Sequence, residues 1–130
     1  MSLSTAIVAE IKADEVLSAK IAKEAGGHRL YPLVAPEGAL PDDTIVYTEI
    51  DQTLNVPRVR TSRVQFSCFS ESYGDAKAMA EDINRIFNDR YSYQLGGTFG
   101  IVYSYFVTQT ELKETDTDIF YSVVEILFKY

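Results

Sequence analysis

The sequence predicts an α+β fold, a mainly antiparallel β-sheet with helices packed on one face, in a single domain spanning residues 1–130. Three observations point there. Apolar residues recur at helical spacing in the first 23 residues and again in residues 73–87. Four other segments are β-branched or aromatic. These strands fall in two pairs on either side of the second helical block, joined by polar links, with no internal repeat and no low-complexity tract. A chain of 130 residues buries roughly two thirds of its unfolded surface on folding. Its composition, 46% hydrophobic and 24% charged, is that of an ordinary folded domain.

From Thr5 to Lys23, Ile7, Val8, Ile11, Val16, Leu17 and Ile21 keep helical spacing with a phase slip at Ala13 and Asp14, giving two short helices or one broken one. Ser4 and Asp14 suit N-caps, and Gly26 and Gly27 supply the positive φ that ends a helix. Pro32, Pro36, Gly38 and Pro41 mark an extended surface connection. Thr44 to Ile50 is expected to be a strand. A loop containing Asn55 and Pro57 then leads to a second strand from Arg60 to about Phe69, a hairpin with a long connection.

The next helix carries Ala76, Met79, Ala80, Ile83, Ile86 and Phe87 as an apolar stripe, with Lys77, Glu81, Asp82 and Arg85 opposite. Ser72 and Asp75 fit a capping box, and Glu81 and Arg85 a favourable i,i+4 pair. After the loop Ser92–Gly100, strict alternation places Phe99, Ile101, Tyr103, Tyr105 and Val107 on one side of a long strand. The last strand alternates Phe120, Ser122, Val124, Ile126 and Phe128 against Tyr121, Val123, Glu125, Leu127 and Lys129, so both of its faces are expected to be partly covered. The polar stretch Gln109–Asp116 between them is the tip of a second hairpin.

No residue pattern here carries chemistry. Thr61 to Phe87 runs from strand through a serine-rich turn into a helix, the layout of a nucleophile elbow, but no glycine lies within two residues of Cys68. Alternation sets Cys68 beside Val64 and Phe66, among apolar side chains. His28, the single histidine, has no partner in the sequence and suits a helix end. The glycines of Gly96–Gly100 lead into a strand, whereas a phosphate loop opens a helix. Glu111, Glu114, Asp116 and Asp118 lack the calcium-loop pattern and suit a solvated hairpin tip. Arg58, Arg60 and Arg63 form a candidate basic patch for an acidic partner or a phosphate. The formal charge of -7 disfavours sequence-independent nucleic-acid binding. One cysteine allows no internal disulfide and no cysteine-rich zinc cluster, and no run approaches the ~18 apolar residues of a membrane span. The expectation is a soluble intracellular protein without catalytic residues, metal or cofactor, made for binding or assembly.

Several short segments carry a resemblance. `AIVAEIKADEVLSAKIA` (residues 6–22) is similar to an alanine-rich helix, acidic break and leucine-bearing helix, and `RLYPLVAPEGALP` (residues 29–41) to a Tyr-Pro, Pro-Gly, Pro signature. `TIVYTEI` looks like the strand that follows, and `RVQFSCFSESYGDAKAMAEDI` like a strand leading into an alanine-containing helix. In this layout the chain resembles the tail completion, or tail terminator, proteins of long-tailed non-contractile bacteriophages and prophages. One departure is that Asp42 and Asp43 separate the last proline from the strand.

The resemblance implies a virion assembly protein, located in the tail and assembled in the bacterial host cytoplasm. Its partners would be copies of itself in a six-membered ring, the major tail tube protein and the head connector protein. DNA would pass the lumen without specific binding, and the acidic balance suits that passage. Arg58, Arg60 and Arg63 on one hairpin and Glu111, Glu114, Asp116 and Asp118 on the other are the candidate contact residues. The rivals are a head-completion or connector protein, or a small cytoplasmic enzyme or ligand-binding domain using Cys68.

Overall fold

The computed structural model describes residues 2–23, 26–36, 38, 42–56, 59–114 and 117–130, with the backbone alone at 54–56. Its elements are α1 (Leu3–Ala13), α2 (Glu15–Lys20), β1 (Leu30–Pro32), β2 (Thr44–Val56), β3 (Val59–Ser70), α3 (Tyr73–Phe87), β4 (Arg90–Leu95), β5 (Phe99–Lys113) and β6 (Phe120–Lys129). The six strands form one sheet in the order β1-β2-β3-β6-β5-β4, antiparallel throughout except for the parallel pair β1–β2. The fold class is α+β as expected.

The helices fill one face of the sheet. Val64, Phe66 and Cys68 of β3 and Val124, Ile126 and Phe128 of β6 are fully buried against Met79, Ala80, Ile83 and Phe87 of α3. The Phe87 ring stacks on Phe66 at 5.7 Å and meets Phe128 edge-on at 5.3 Å, a geometry worth more than its buried area alone. Each residue of the predicted stripe Ala76, Met79, Ala80, Ile83, Ile86 and Phe87 is buried. Ile7, Ile11, Leu17 and Ile21 join the same core from α1, α2 and the residue that follows.

Several expectations are corrected. Asp14 does separate two helices and caps α2 by accepting the Leu17 N–H at 2.9 Å, but α1 is capped by Ser2, not Ser4, because its apolar phase begins at Leu3. Gly26 and Gly27 have positive φ yet do not end a helix; α2 ends at Lys20, and the glycines turn the chain for a bridge between Ala22 and His28. The connection after them contains a strand, β1, which three residues are too few to announce. The hairpin expected to have a long connection instead continues as paired strand through two register shifts, to Val56 opposite Val59. Bulges of this kind insert residues without ending a ladder.

The loop placed before the long strand is in part β4. Its signal is hidden by Asp89 and Ser92, both at positive φ, which interrupt the alternation that marks a strand. The same irregularity upsets the next strand. Ile101 and Ser104 are buried while Tyr105 and Val107 are 40% and 38% exposed, so Tyr103 and Tyr105 stand on the face opposite Ile101. The change of face falls between Ile101 and Tyr103, across from Ser92, while the β4–β5 pairing keeps its register; a register shift against β6 follows between Phe106 and Thr108. β5 runs on to Lys113, which makes Gln109–Lys113 strand and moves the tip of that hairpin outward.

Candidate assembly surface

Among the described residues, one face of the sheet carries no helix. Residues opposite one another in a ladder project to the same side, so the register assigns this open face Phe69, Ser67, Gln65 and Arg63 of β3 and Tyr121, Val123, Glu125, Leu127 and Lys129 of β6. Tyr103, Tyr105, Thr108, Thr110 and Leu112 of β5 continue it. Its centre is half-buried by neighbouring side chains: Phe69 stacks on Tyr121 at 5.4 Å and Tyr103 on Tyr105 at 5.6 Å. The second face of the last strand is therefore partly covered by its own neighbours, as alternation suggested. Towards β1, the face dips into a shallow groove bounded by Leu33, Val34 and Ala35 and floored by Val46, Thr48 and Phe69.

Among the described residues, the charges on this face balance. Asp51, Arg63, Glu125 and Lys129 lie on it, two acids and two bases. Arg63 Nε stands 3.9 Å from Glu125 Oε1 and has no hydrogen-bond partner. Lys129 Nζ lies over the Tyr103 ring at 5.4 Å.

The arginines named from the sequence do not gather. Arg63 belongs to the open face and faces Glu125. Arg60 is exposed at the far end of β3, its backbone paired with Tyr130, and lies an odd number of positions from Arg63 along the strand. Arg58 lies outside the described residues. Among the acids, Glu111 is part of β5 and accepts from Gln109 Nε2 at 2.8 Å. Glu114 closes the hairpin, its N–H donating to the Ile119 carbonyl. Asp118, at positive φ, stands 3.3 Å from Lys113 Nζ. Asp116 lies outside the described residues. Among the described residues, no group of three or more His, Cys, Asp and Glu side chains is arranged to hold a metal.

Cys68 is fully buried. Burial pushes its thiol strongly up from the ordinary value, and the negative charge of Asp82 adds to the shift. A neutral thiol in an apolar site is a poor nucleophile, so the strand-to-helix turn presents no reactive group there. Ser72 acts as the N-cap of α3, accepting the Asp75 N–H.

The polar network missed by sequence reasoning ties the helices together. Asp82, expected on the solvent side, is nearly buried and accepts from Lys20 Nζ at 2.6 Å. Arg85 reaches Asp14 with both amines, at 2.9 and 3.0 Å, instead of pairing with Glu81. Glu10 takes the Gly96 N–H at 2.9 Å and Arg90 at 3.3 Å, fastening α1 to the β4–β5 turn. These partners are 62 to 86 residues apart, beyond any local pattern. No described helix is long and apolar enough to cross a membrane.

No protein-family model and no curated protein sequence matches this chain. Among solved structures, it is similar to a chain in the "Virion of native gene transfer agent (GTA) particle", with a TM-score of 0.74 over 98% of this chain and 93% of that one, at 15% sequence identity. At that identity the likeness establishes a shared fold across nearly the full length of both chains.

Proposed function

We propose that this chain is a phage-like virion structural protein, a tail terminator that forms a ring, caps the tail tube and offers the head-joining surface. The observation that carries the proposal is the likeness over almost the entire length to a chain of a gene transfer agent virion. The layout of the helices, Tyr-Pro connection and strand-to-helix handover supports the same reading. The burial of Cys68, which pushes its thiol up from the ordinary value, speaks against the rival reading that uses that thiol.

The partners are further copies of the chain, the major tail tube protein and the head connector protein. The hairpin tips, with Arg58 and Arg60 on one and Glu114, Asp116 and Asp118 on the other, are the contact points for tube and head, because these connecting segments are polar in sequence. Arg63 and Glu111 sit within the strands behind them. DNA passes without specific binding, since the charge-balanced open face provides no basic track for phosphates. The protein then resides in the tail of the virion and is assembled in the host cytoplasm.

Adding the purified chain to polymerising tail tube protein tests this. The expected result is shortened tubes whose ends bind heads; tubes that grow to the same length with and without it overturn the terminator role. Binding to heads alone would move the protein to the head side of the joint.

A further inference from the structure

The sheet is incomplete at both edges. Among the described residues, β1 covers β2 only at Ile45, Val46 and Tyr47, and no strand lies on its outer side from Thr48 to Val56. At the other edge, among the same residues, β4 covers β5 only from Phe99 to Ser104, which leaves Tyr105 to Lys113 open. The two free stretches are equal in length. Among the described residues the only hydrogen bond to a backbone amide from outside the sheet in either stretch is that of Phe106, held by Asn88 Oδ1 beside β4. Long unpaired edges are templates for pairing with another chain, and soluble proteins ordinarily shorten or cover them.

We propose that these edges join copies of this chain, β5 of one copy pairing antiparallel with β2 of the next, so that the sheet runs continuously around the ring. This rests on the ring reading and names its interface.

Direction, offset and clearance agree. Within one chain β2, β3, β6 and β5 alternate in sense, so a copy added in the same orientation brings its β2 to β5 in the antiparallel sense. The free stretches lie at different heights. Thr48 is level with Glu125, through Gln65, whereas Lys113 is level with Phe120. Full overlap therefore shifts each copy by about five residues, ~17 Å at about 3.3 Å per residue. Four strands spaced about 4.8 Å apart span ~19 Å, and that offset over that width tilts the strands by roughly 40°. Closed barrels require a tilt of about 35–45°. In this arrangement the next copy's β1 begins just past the end of β5, and β4 lies just past the hairpin end of the next copy's β2, so neither obstructs the joint.

A heterologous contact of this kind closes into a ring by rotation. The bulky helices take the outside, and the open face, with its balanced Asp51, Arg63, Glu125 and Lys129, lines the channel. Six copies supply 24 strands, more than the 16–18 that leave an aqueous channel.

Full overlap sets Thr110 opposite Asp51 of the next copy, both exposed and both on the open face. The variant carrying Thr110→Cys and Asp51→Cys, treated with a short bis-maleimide while assembled, alone or on tube ends, is expected to give a covalent ladder extending to the full ring. Cys68 is buried and silent. Either single variant is expected to give no ladder, and an equal mixture of the two only dimers. A ring by sedimentation without a ladder overturns the edge joint and leaves the ring reading standing; dimers from Thr110→Cys alone overturn it in favour of a two-fold contact. A chain that remains monomeric both alone and with tube overturns the ring reading, and the joint with it. Circular dichroism matching the parent chain confirms that the variants fold.

Discussion

Asp14 shows what a single residue contributes and how much of that is visible in one dimension. Its carboxylate caps α2 through the Leu17 N–H and accepts both amines of Arg85 on α3. The cap is legible because an aspartate at a phase slip before an apolar run is the usual start of a helix. The arginine is not legible, since local spacing offers Arg85 the nearer Glu81 and only the tertiary fold brings Asp14 closer. Hydrogen bonding from Arg85 is the main cause that holds the Asp14 carboxyl below its ordinary 3.8. Because the folded value is the lower one, the stabilisation is complete above the unfolded value and disappears as pH falls through the folded one. Asp14→Ala is expected to cost about 1–2 kcal/mol at neutral pH, measured by urea unfolding. The part that comes from the carboxylate's charge should fade below about pH 4; a gap from the parent that stays constant down to pH 2 would show that the charge contributes nothing. Cys68 illustrates the opposite case, in which alternation alone placed the thiol correctly. A thiol reagent should modify it more than about a hundredfold more slowly in the folded chain than in urea.

At the level of elements, long periodic segments were legible and short or interrupted ones were not. The stripe of α3 and the alternation of β6 match the structure residue by residue, because each element meets the core along its whole length. β4 escaped because Asp89 and Ser92, both at positive φ, interrupt its alternation, and the turn that joins it to β5 is packed on α1. Gly96, at φ +61, lies so close to α1 that an added Cβ would sit 2.9 Å from the Ala6 carbonyl oxygen and 3.1 Å from Ala9 Cβ. Gly97 also has positive φ, +86, but a Cβ there would meet nothing within 4 Å. The pair separates backbone strain from contact. Gly97→Ala is expected to cost about 1 kcal/mol, the left-handed penalty alone. Gly96→Ala adds the clash with α1 and the disturbed Glu10 hydrogen bond, and should cost about 2–4 kcal/mol. Equal losses in thermal or urea unfolding would mean that α1 yields without cost, and that the β4–β5 turn does not depend on it.

For the whole molecule, the fold class followed from element types, but the sheet order did not, since nothing local in the sequence says that β6 inserts between β3 and β5. The unfinished edges were invisible for the same reason: an edge is a property of what a strand lacks beside it. The net charge was visible and acts at this scale. Each copy carries 19 acidic against 12 basic side chains, and the four charges assigned to the open face cancel, so the excess negative charge lies elsewhere. Copies brought edge to edge repel one another through that excess. The repulsion reaches about 30 Å at 0.01 M salt but only about 8 Å at 0.15 M. The contact we propose is made of backbone hydrogen bonds and half-buried side chains, which salt screens little. Assembly should therefore strengthen as salt rises over that range, with the assembled fraction at fixed protein concentration increasing in sedimentation velocity. A fraction that falls with salt would instead mean that ion pairs between copies, for example Arg60 with Glu111 or Glu114, dominate the contact. Charge reversal at Arg60 would then abolish the rings, whereas backbone pairing along β2 and β5 predicts that they survive it.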